Sequence, residues 1–139
     1  MYKWIHQFGS PKYFYDISLH LSKWVTIVCI VCFIGGLYGG LVLAPADYQQ
    51  GDSFRIIYVH VPAAWMSLFI YVILATSGAI SLIWHIKITD IIARVSAPIG
   101  ASFTFLALST GAIWGKPMWG TYWVWDARLT SELILLFLY

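Results

Sequence analysis

The chain has 139 residues, of which 60% are hydrophobic and only 10% are charged, whereas about a quarter of a soluble domain is charged. A water-soluble fold of this length could not bury so much apolar surface, so the composition indicates a membrane protein. The formal net charge is only +2 and no basic run is interleaved with aromatic residues, which argues against nucleic-acid binding.

Residues 1–23 are mixed and aromatic, with a break at residues 9–11. A secretory signal would have a shorter apolar core nearer the N-terminus and a small-residue cleavage site. We therefore expect a short cytoplasmic or interfacial helix that leads into a retained span. Aromatic residues that suit the lipid headgroup layer are Trp4, Phe8, Tyr13, Phe14 and Tyr15.

Three uncharged apolar segments are long enough to cross a bilayer, which requires about 20 residues; they are residues 24–43, 61–83 and 95–114. A fourth apolar run follows Glu132, so residues 132–139 are expected to begin a fourth span, with further helices downstream. The fold class is therefore all-α, a polytopic transmembrane helix bundle that forms a single membrane domain.

Small residues predict where these spans pack. The first span has two overlapping G-x-x-x-G pairs at residues 35–40, which either allow close helix approach or mark fraying at its end. The third span has a surface typical of a helix buried among others, formed by Gly100, Ser102, Thr104, Ser109, Thr110 and Gly111.

Two cysteines, Cys29 and Cys32, have C-x-x-C spacing inside the first span. Covalent haem attachment requires C-x-x-C-H, but Phe33 follows here, and a thioredoxin-like site would need a soluble βαβ unit. We expect two small buried hydrophobic residues.

Basic residues predict the orientation. Five lie on one side of the spans, at positions 3, 12, 23, 87 and 94, and three on the other, at positions 55, 116 and 128. The bias favours a cytoplasmic N-terminus and a cytoplasmic loop at residues 84–94. The loops at residues 44–60 and 115–131 would then face outward, into the periplasm of a Gram-negative cell.

The second outer loop and the residue before it contain an unusually dense aromatic cluster. Five large aromatic residues lie within twelve positions: Trp114, Trp119, Tyr122, Trp123 and Trp125. An interfacial belt is the simple alternative, but it needs only one or two aromatic residues at each helix end. The density favours a platform for a flat apolar ligand.

A flat ligand that carries carboxylates would be held by cations, and Arg55 and Arg128 are the candidates because guanidinium binds carboxylate in a bidentate manner. Alternatively, Arg128 pairs with Asp126 or Glu132 and Arg55 pairs with Asp52, and both situations can hold in different ligand states.

His60 lies where the first outer loop meets the second span, directly before Val61 and Pro62. Proline is common in the first turn of a helix, and a neutral histidine is a frequent axial ligand of haem iron. The alternative is an interfacial, hydrogen-bonded histidine. The other three histidines are predicted on the inner side; they are His6, His20 and His85.

The string WGTYWVWDARLT at residues 119–130 resembles the tryptophan-rich signature of haem-handling membrane proteins in cytochrome c maturation. Residues 44–50 and 55–64 resemble the CcmC (haem exporter protein C) family specifically. The resemblance covers essentially the whole chain.

This resemblance implies a six-helix bacterial inner-membrane protein that binds haem b non-covalently at its periplasmic face. The implied partners are the haem chaperone CcmE, the ABC transporter subunits CcmA and CcmB, and the small subunit CcmD. The family also places a second axial histidine in a later loop, so residues 1–139 alone are expected to bind haem weakly or not at all. Asp47, Gln50 and Arg55 are implied to line the surface where haem and the chaperone meet.

The predicted function is a haem carrier and not an enzyme, since hydrolase motifs and zinc-ligand spacing are missing from the sequence. The alternative is a structural subunit whose aromatic loop grips a partner protein. A transporter with a conduction path ranks last because the three full spans have no ionisable residue. The predicted haem-site residues are His60 as iron ligand with Trp114, Trp119, Trp123, Trp125, Asp126, Arg128 and Arg55.

Overall fold

The computed structural model describes residues 10–139, and this part of the chain is helical, with no strand. Its elements in chain order are α1 (Pro11–Tyr38), a π-helical turn (Gly39–Leu43), a 3-10 helix (Asp52–Ile56), α2 (Ile57–Trp84), α3 (Lys87–Trp119) and α4 (Ala127–Leu138). The all-α prediction is confirmed.

Three of these helical stretches are long and apolar enough to cross a membrane: Pro11–Leu43, Asp52–Trp84 and Lys87–Trp119, each of 33 residues. At 1.5 Å per residue each is about 50 Å long, which exceeds the hydrocarbon thickness of about 30 Å. The prediction of a polytopic membrane bundle is confirmed, and the helix ends extend beyond the apolar layer.

The helices are longer than the spans predicted from hydropathy. From Pro11 onward the predicted interfacial helix is continuous with the first span, since α1 runs without a break from Pro11 to Tyr38. Residues 1–9 of the predicted interfacial segment lie outside the described part of the chain. The 3-10 helix leads directly into α2, so Pro62 lies inside that helix and not in its first turn. α3 continues to Trp119 and ends at Gly120, whose φ of 78° is left-handed, a common helix terminator.

Small residues line the packed face of α3, which meets α2 and α4. On α3, Gly100, Thr104 and Gly111 are buried, as predicted for this surface, whereas Ser102 is exposed. The buried hydroxyl of Thr104 donates to the carbonyl oxygen of Gly100 at 2.9 Å, so it needs no partner from another helix. α4 contributes buried leucines to the same core.

α1 packs loosely on the rest of the described chain and has no buried residue. The π-helical turn that follows α1 approaches α2 closely at Gly40, where an added Cβ would lie 2.6 Å from Cβ of Tyr58. The other glycines of the two G-x-x-x-G pairs have open space where a Cβ would point. Cys29 and Cys32 are free and exposed, so the expectation that they are buried is wrong; Cys32 borders a cavity between α1, α2 and α3 but is not covered.

Candidate functional site

The outer-loop residues meet at one end of the bundle. α1 ends and α2 begins at this end, and α3 ends and α4 begins there too. The turn that contains His85 joins α2 to α3 at the opposite end. The alternating direction of the helices therefore places His60 and the tryptophan-rich segment side by side.

A cavity of about 290 Å³ opens between α2, α3 and α4 at this end. Its wall is mostly apolar and aromatic with a few polar groups, as is usual for small-molecule sites. It is lined by Gln50, His60, Gly111, Trp114, Gly115, Met118, Trp119, Asp126, Arg128 and Leu129. The structure thus brings together five of the eight predicted haem-site residues, and Gln50 with them.

His60 is held by its neighbour helix. Its Nδ1 lies 3.1 Å from the carbonyl oxygen of Ala107 and 3.0 Å from Oγ1 of Thr110. A carbonyl can only accept, so Nδ1 carries the proton, and Nε2 keeps its lone pair. Among the described residues nothing hydrogen-bonds to Nε2. A histidine whose second nitrogen donates to a backbone carbonyl is oriented as metal-binding histidines usually are.

Two residues of α3 surround the half-buried imidazole in the cavity. An added Cβ at Gly111 would lie 3.0 Å from Cε1 of His60, so the glycine leaves space for the ring. The Trp114 ring meets His60 edge-on, with centroids 5.8 Å apart and planes at 64°. Nε1 of Trp114 also donates to Oε1 of Gln50 at 2.9 Å, which ties the first outer loop to the cavity wall.

Asp126 begins α4 and holds Arg128. Its Oδ1 accepts the backbone N–H of Leu129 at 2.8 Å, and its Oδ2 lies 2.7 Å from Nη2 of Arg128. The Leu129 hydrogen bond and then the Arg128 side chain hold the pKa of Asp126 below its usual value. Arg128 also lies over the Trp119 ring, 5.5 Å from its centroid. The predicted alternative of an Arg128–Asp126 ion pair is therefore what the structure contains.

Arg55 does not reach this cavity. Its Nε donates to the carbonyl oxygen of Ala44 at 3.1 Å, and its Nη1 lies 3.2 Å from Oδ1 of Asp52, so the predicted alternative of an Arg55–Asp52 pair is present. Arg55 lines a separate cavity, and Trp114 lines both.

Trp123 and Trp125 are also outside the cavity wall. Their rings contact each other edge-to-face with centroids 5.3 Å apart, and Trp125 is 74% exposed. The left-handed turn at Gly120 directs the chain away from α3 before these residues. Nε1 of Trp123 is buried with no hydrogen-bond partner in the described part of the chain.

Asp47 shapes the first loop rather than the cavity. Its Oδ1 accepts the backbone N–H groups of Gln49 and Gln50 at 2.9 and 2.8 Å, an Asx-type turn. This turn positions Gln50 for its contact with Trp114.

The sequence alone did not single out Ala107, Gly115 or Met118 as site residues, and it placed Thr110 and Gly111 only in a packing surface. A signal was present in the sequence: positions 107, 111, 114 and 118 follow the three-and-four spacing of one helix face. One of them is Trp114, which was predicted as a site residue. No group of three or more histidine, cysteine or acidic residues that could bind a metal ion occurs within residues 10–139.

The fold and the cavity define a polytopic α-helical membrane protein with a histidine-containing aromatic site at one end of its spans. The family model described as heme exporter protein C matches residues 4–139. The chain therefore belongs to the heme exporter protein C family.

Individual relatives agree. The chain is 53% identical to heme exporter protein C of Escherichia coli strain K12 over 139 residues, which is 100% of this chain and 57% of that protein. It is 53% identical to the Haemophilus influenzae protein of the same name over 139 residues, 100% and 56% of the two chains. With the Bradyrhizobium diazoefficiens protein the identity is 45% over 131 residues, 94% and 49%. The chain thus spans about half the length of these relatives.

Proposed function

We propose that this chain is the N-terminal part of a haem-binding and haem-delivery protein of cytochrome c maturation, a carrier and not an enzyme. The observation that supports this function best is His60, whose Nδ1 is fixed by Ala107 while Nε2 is free in an aromatic cavity. The relatives are named heme exporter protein C, which supports a haem-handling role.

The residues of the cavity suit haem b as a non-covalent cargo. Imidazole is a standard ligand of haem iron, and Trp114 and Trp119 offer apolar ring surface beside it. Arg128 can bind a propionate in place of Asp126, because guanidinium forms similar bidentate pairs with both carboxylates. Resemblance to the family implies that a second axial histidine lies in the part of the relatives beyond residue 139.

Delivery is the second part of the proposal. The cavity would present haem at the periplasmic face of a bacterial inner membrane, with the N-terminus in the cytoplasm. The haem chaperone CcmE would receive it, with CcmA, CcmB and CcmD in the same assembly. Asp47, Gln50 and Arg55 are proposed to belong to the surface that the chaperone contacts. The open cavity and the exposed Trp125 beside it support a site that releases its cargo.

The test is an absorption spectrum of the full-length protein, purified in detergent from cells supplied with haem. We expect a Soret band that is lost or shifted in His60→Ala and unchanged in His85→Ala, a control at the opposite end of the bundle. A colourless full-length protein, or an identical spectrum in His60→Ala, would contradict haem ligation by His60.

A second candidate is a structural subunit whose aromatic loop grips a partner protein. The exposure of Trp125, which does not line the cavity, favours this role for that residue. In this case the purified complex would be colourless, and replacement of the tryptophans would weaken only assembly.

A further inference from the structure

A second cavity, of about 590 Å³, shares Trp114 with the first cavity but is not lined by His60. It is lined by Leu41, Asp52, Ser53, Arg55, Ile56, Ile113, Trp114, Lys116, Pro117 and Tyr122. These residues come from the end of α1, the 3-10 helix, the end of α3 and the loop after it. We refer to this space as the Arg55–Lys116 cavity.

The cavity has an excess of positive charge. Arg55 and Lys116 contribute two cations and Asp52 one anion, so the formal sum is +1. Nη1 of Arg55 contacts Asp52 and its Nε donates to Ala44, which leaves Nη2 without a partner in the described residues. Nζ of Lys116 donates to the carbonyl oxygen of Gly120 at 2.9 Å, and an ammonium group has two further donors. Donors from two separate elements are thus available for one anion.

The remaining wall is mostly apolar and aromatic. Ile113 precedes Lys116 by about one helical turn and is 59% exposed, and Leu41, near the end of the first span, is 40% exposed. Trp114 and Tyr122 are aromatic residues near the end of α3, and aromatic residues are enriched where helices meet the headgroup layer. We therefore expect the two cations near the headgroup layer, with exposed apolar surface beside them.

We propose that the Arg55–Lys116 cavity binds an anionic phospholipid, with the phosphate between Arg55 and Lys116 and an acyl chain along Ile113 and Leu41. A soluble anion would use the two cations but not the apolar wall, and a zwitterionic lipid would place a third cation, its own ammonium group, beside them. The inference is independent of haem carriage, although Trp114 links the two cavities.

Native mass spectrometry of the full-length protein tests this site. The protein is incubated with equal amounts of phosphatidylglycerol and phosphatidylcholine in detergent, purified again, and its retained lipids are counted. We expect retention of phosphatidylglycerol in preference to phosphatidylcholine. Arg55→Gln and Lys116→Gln should each lower this retention roughly fivefold, as expected for loss of one cation near an anionic headgroup. Lys116 is exposed, so Lys116→Gln tests the site even if Arg55→Gln disturbs the loop.

Two control variants separate this cavity from general surface charge. Arg128→Gln removes a cation at the same end of the bundle but outside this cavity, and should leave lipid retention unchanged. Asp52→Asn removes the competing anion and should maintain or raise it. Unchanged phosphatidylglycerol retention in Lys116→Gln would overturn the proposal. Displacement of the lipid by inorganic phosphate at an equal concentration would also overturn it. A loss of haem without a loss of lipid in Arg55→Gln and Lys116→Gln would overturn it as well.

Discussion

The imidazole of His60 donates from Nδ1 to the carbonyl oxygen of Ala107, 3.1 Å away across the α2–α3 interface. Because this acceptor is a backbone carbonyl in a packed helix, helix packing helps to fix the ring orientation, together with the 3.0 Å contact between Nδ1 and Oγ1 of Thr110. With Nδ1 engaged in this contact, the unprotonated Nε2 is the free nitrogen of the ring. The proposed haem ligation depends on this nitrogen.

Gly111 should be intolerant of even a methyl group. In Gly111→Ala the new Cβ would lie 3.0 Å from Cε1 of His60, so the ring must move and iron ligation should weaken. We expect a several-fold lower haem content in the purified full-length protein, measured from the Soret band at equal protein concentration. Gly78→Ala is the matched control because its Cβ would have open space; equal losses in both variants would contradict this explanation.

Gln50 should matter through Trp114 and not through its position in an exposed loop. Gln50→Ala removes the acceptor of the 2.9 Å bond from Nε1 of Trp114, and loss of such a bond costs about 1 kcal/mol. Gln49→Ala changes the neighbouring exposed glutamine and should cost less. Thermal unfolding of the two full-length variants, followed by tryptophan fluorescence, measures the difference.

Asp126 has a capping role and a charge role, and two substitutions separate them. Asp126→Ala removes the acceptor for the N–H of Leu129 and frees Arg128; we expect the melting temperature to fall by about 2–4 °C. Asp126→Asn keeps a capping oxygen and should lose less. If the two variants melt at the same temperature, the helix cap contributes nothing measurable.

The pH dependence of this contribution has a definite sign. The pKa of Asp126 is lowered in the folded protein, so its stabilisation is fully present above the usual aspartate pKa of 3.8. It is lost as the pH falls through the lowered folded pKa. The melting temperature of the wild-type protein should therefore fall more steeply than that of Asp126→Asn below about pH 4, and parallel curves would refute this assignment.

Trp119 and Trp125 should differ in effect. Trp119 lines the cavity beneath Arg128, whereas Trp125 is 74% exposed and outside it. Trp119→Leu should reduce the haem content of the purified protein, and Trp125→Leu should leave it unchanged while it impairs haem transfer to the chaperone. The two readouts are pigment content and transfer to purified CcmE; a larger haem loss in Trp125→Leu would contradict the observed placement.

The membrane spans could be predicted because long uncharged apolar runs have few alternatives in a protein. Their ends could not, because they depend on local geometry such as the left-handed Gly120 and the 3-10 helix before α2. Likewise, His60 and Trp119 were predictable from residue type. Ala107 was not, since it acts through a carbonyl oxygen that every residue has.

Three-dimensional placement also explains the differences within the predicted site. Arg55 and Arg128 are both cations of the predicted outer loops, but they line different cavities, and Trp114 forms part of the wall of each. Sequence spacing contains no information about such a wall. That Trp123 approaches haem stays a prediction; in the described residues its Nε1 is buried without a hydrogen-bond partner.

The most direct test of iron ligation by His60 is rescue by a free ligand. Full-length His60→Gly, purified with haem supply, is compared by absorption spectroscopy before and after addition of imidazole, beside a Gly111→Ala sample treated in the same way. We expect imidazole to restore the Soret position in His60→Gly, because free imidazole can occupy the space left by the removed side chain and bind the iron in its place. A wild-type spectrum in His60→Gly without imidazole would show that another residue ligates the iron and would contradict the central claim.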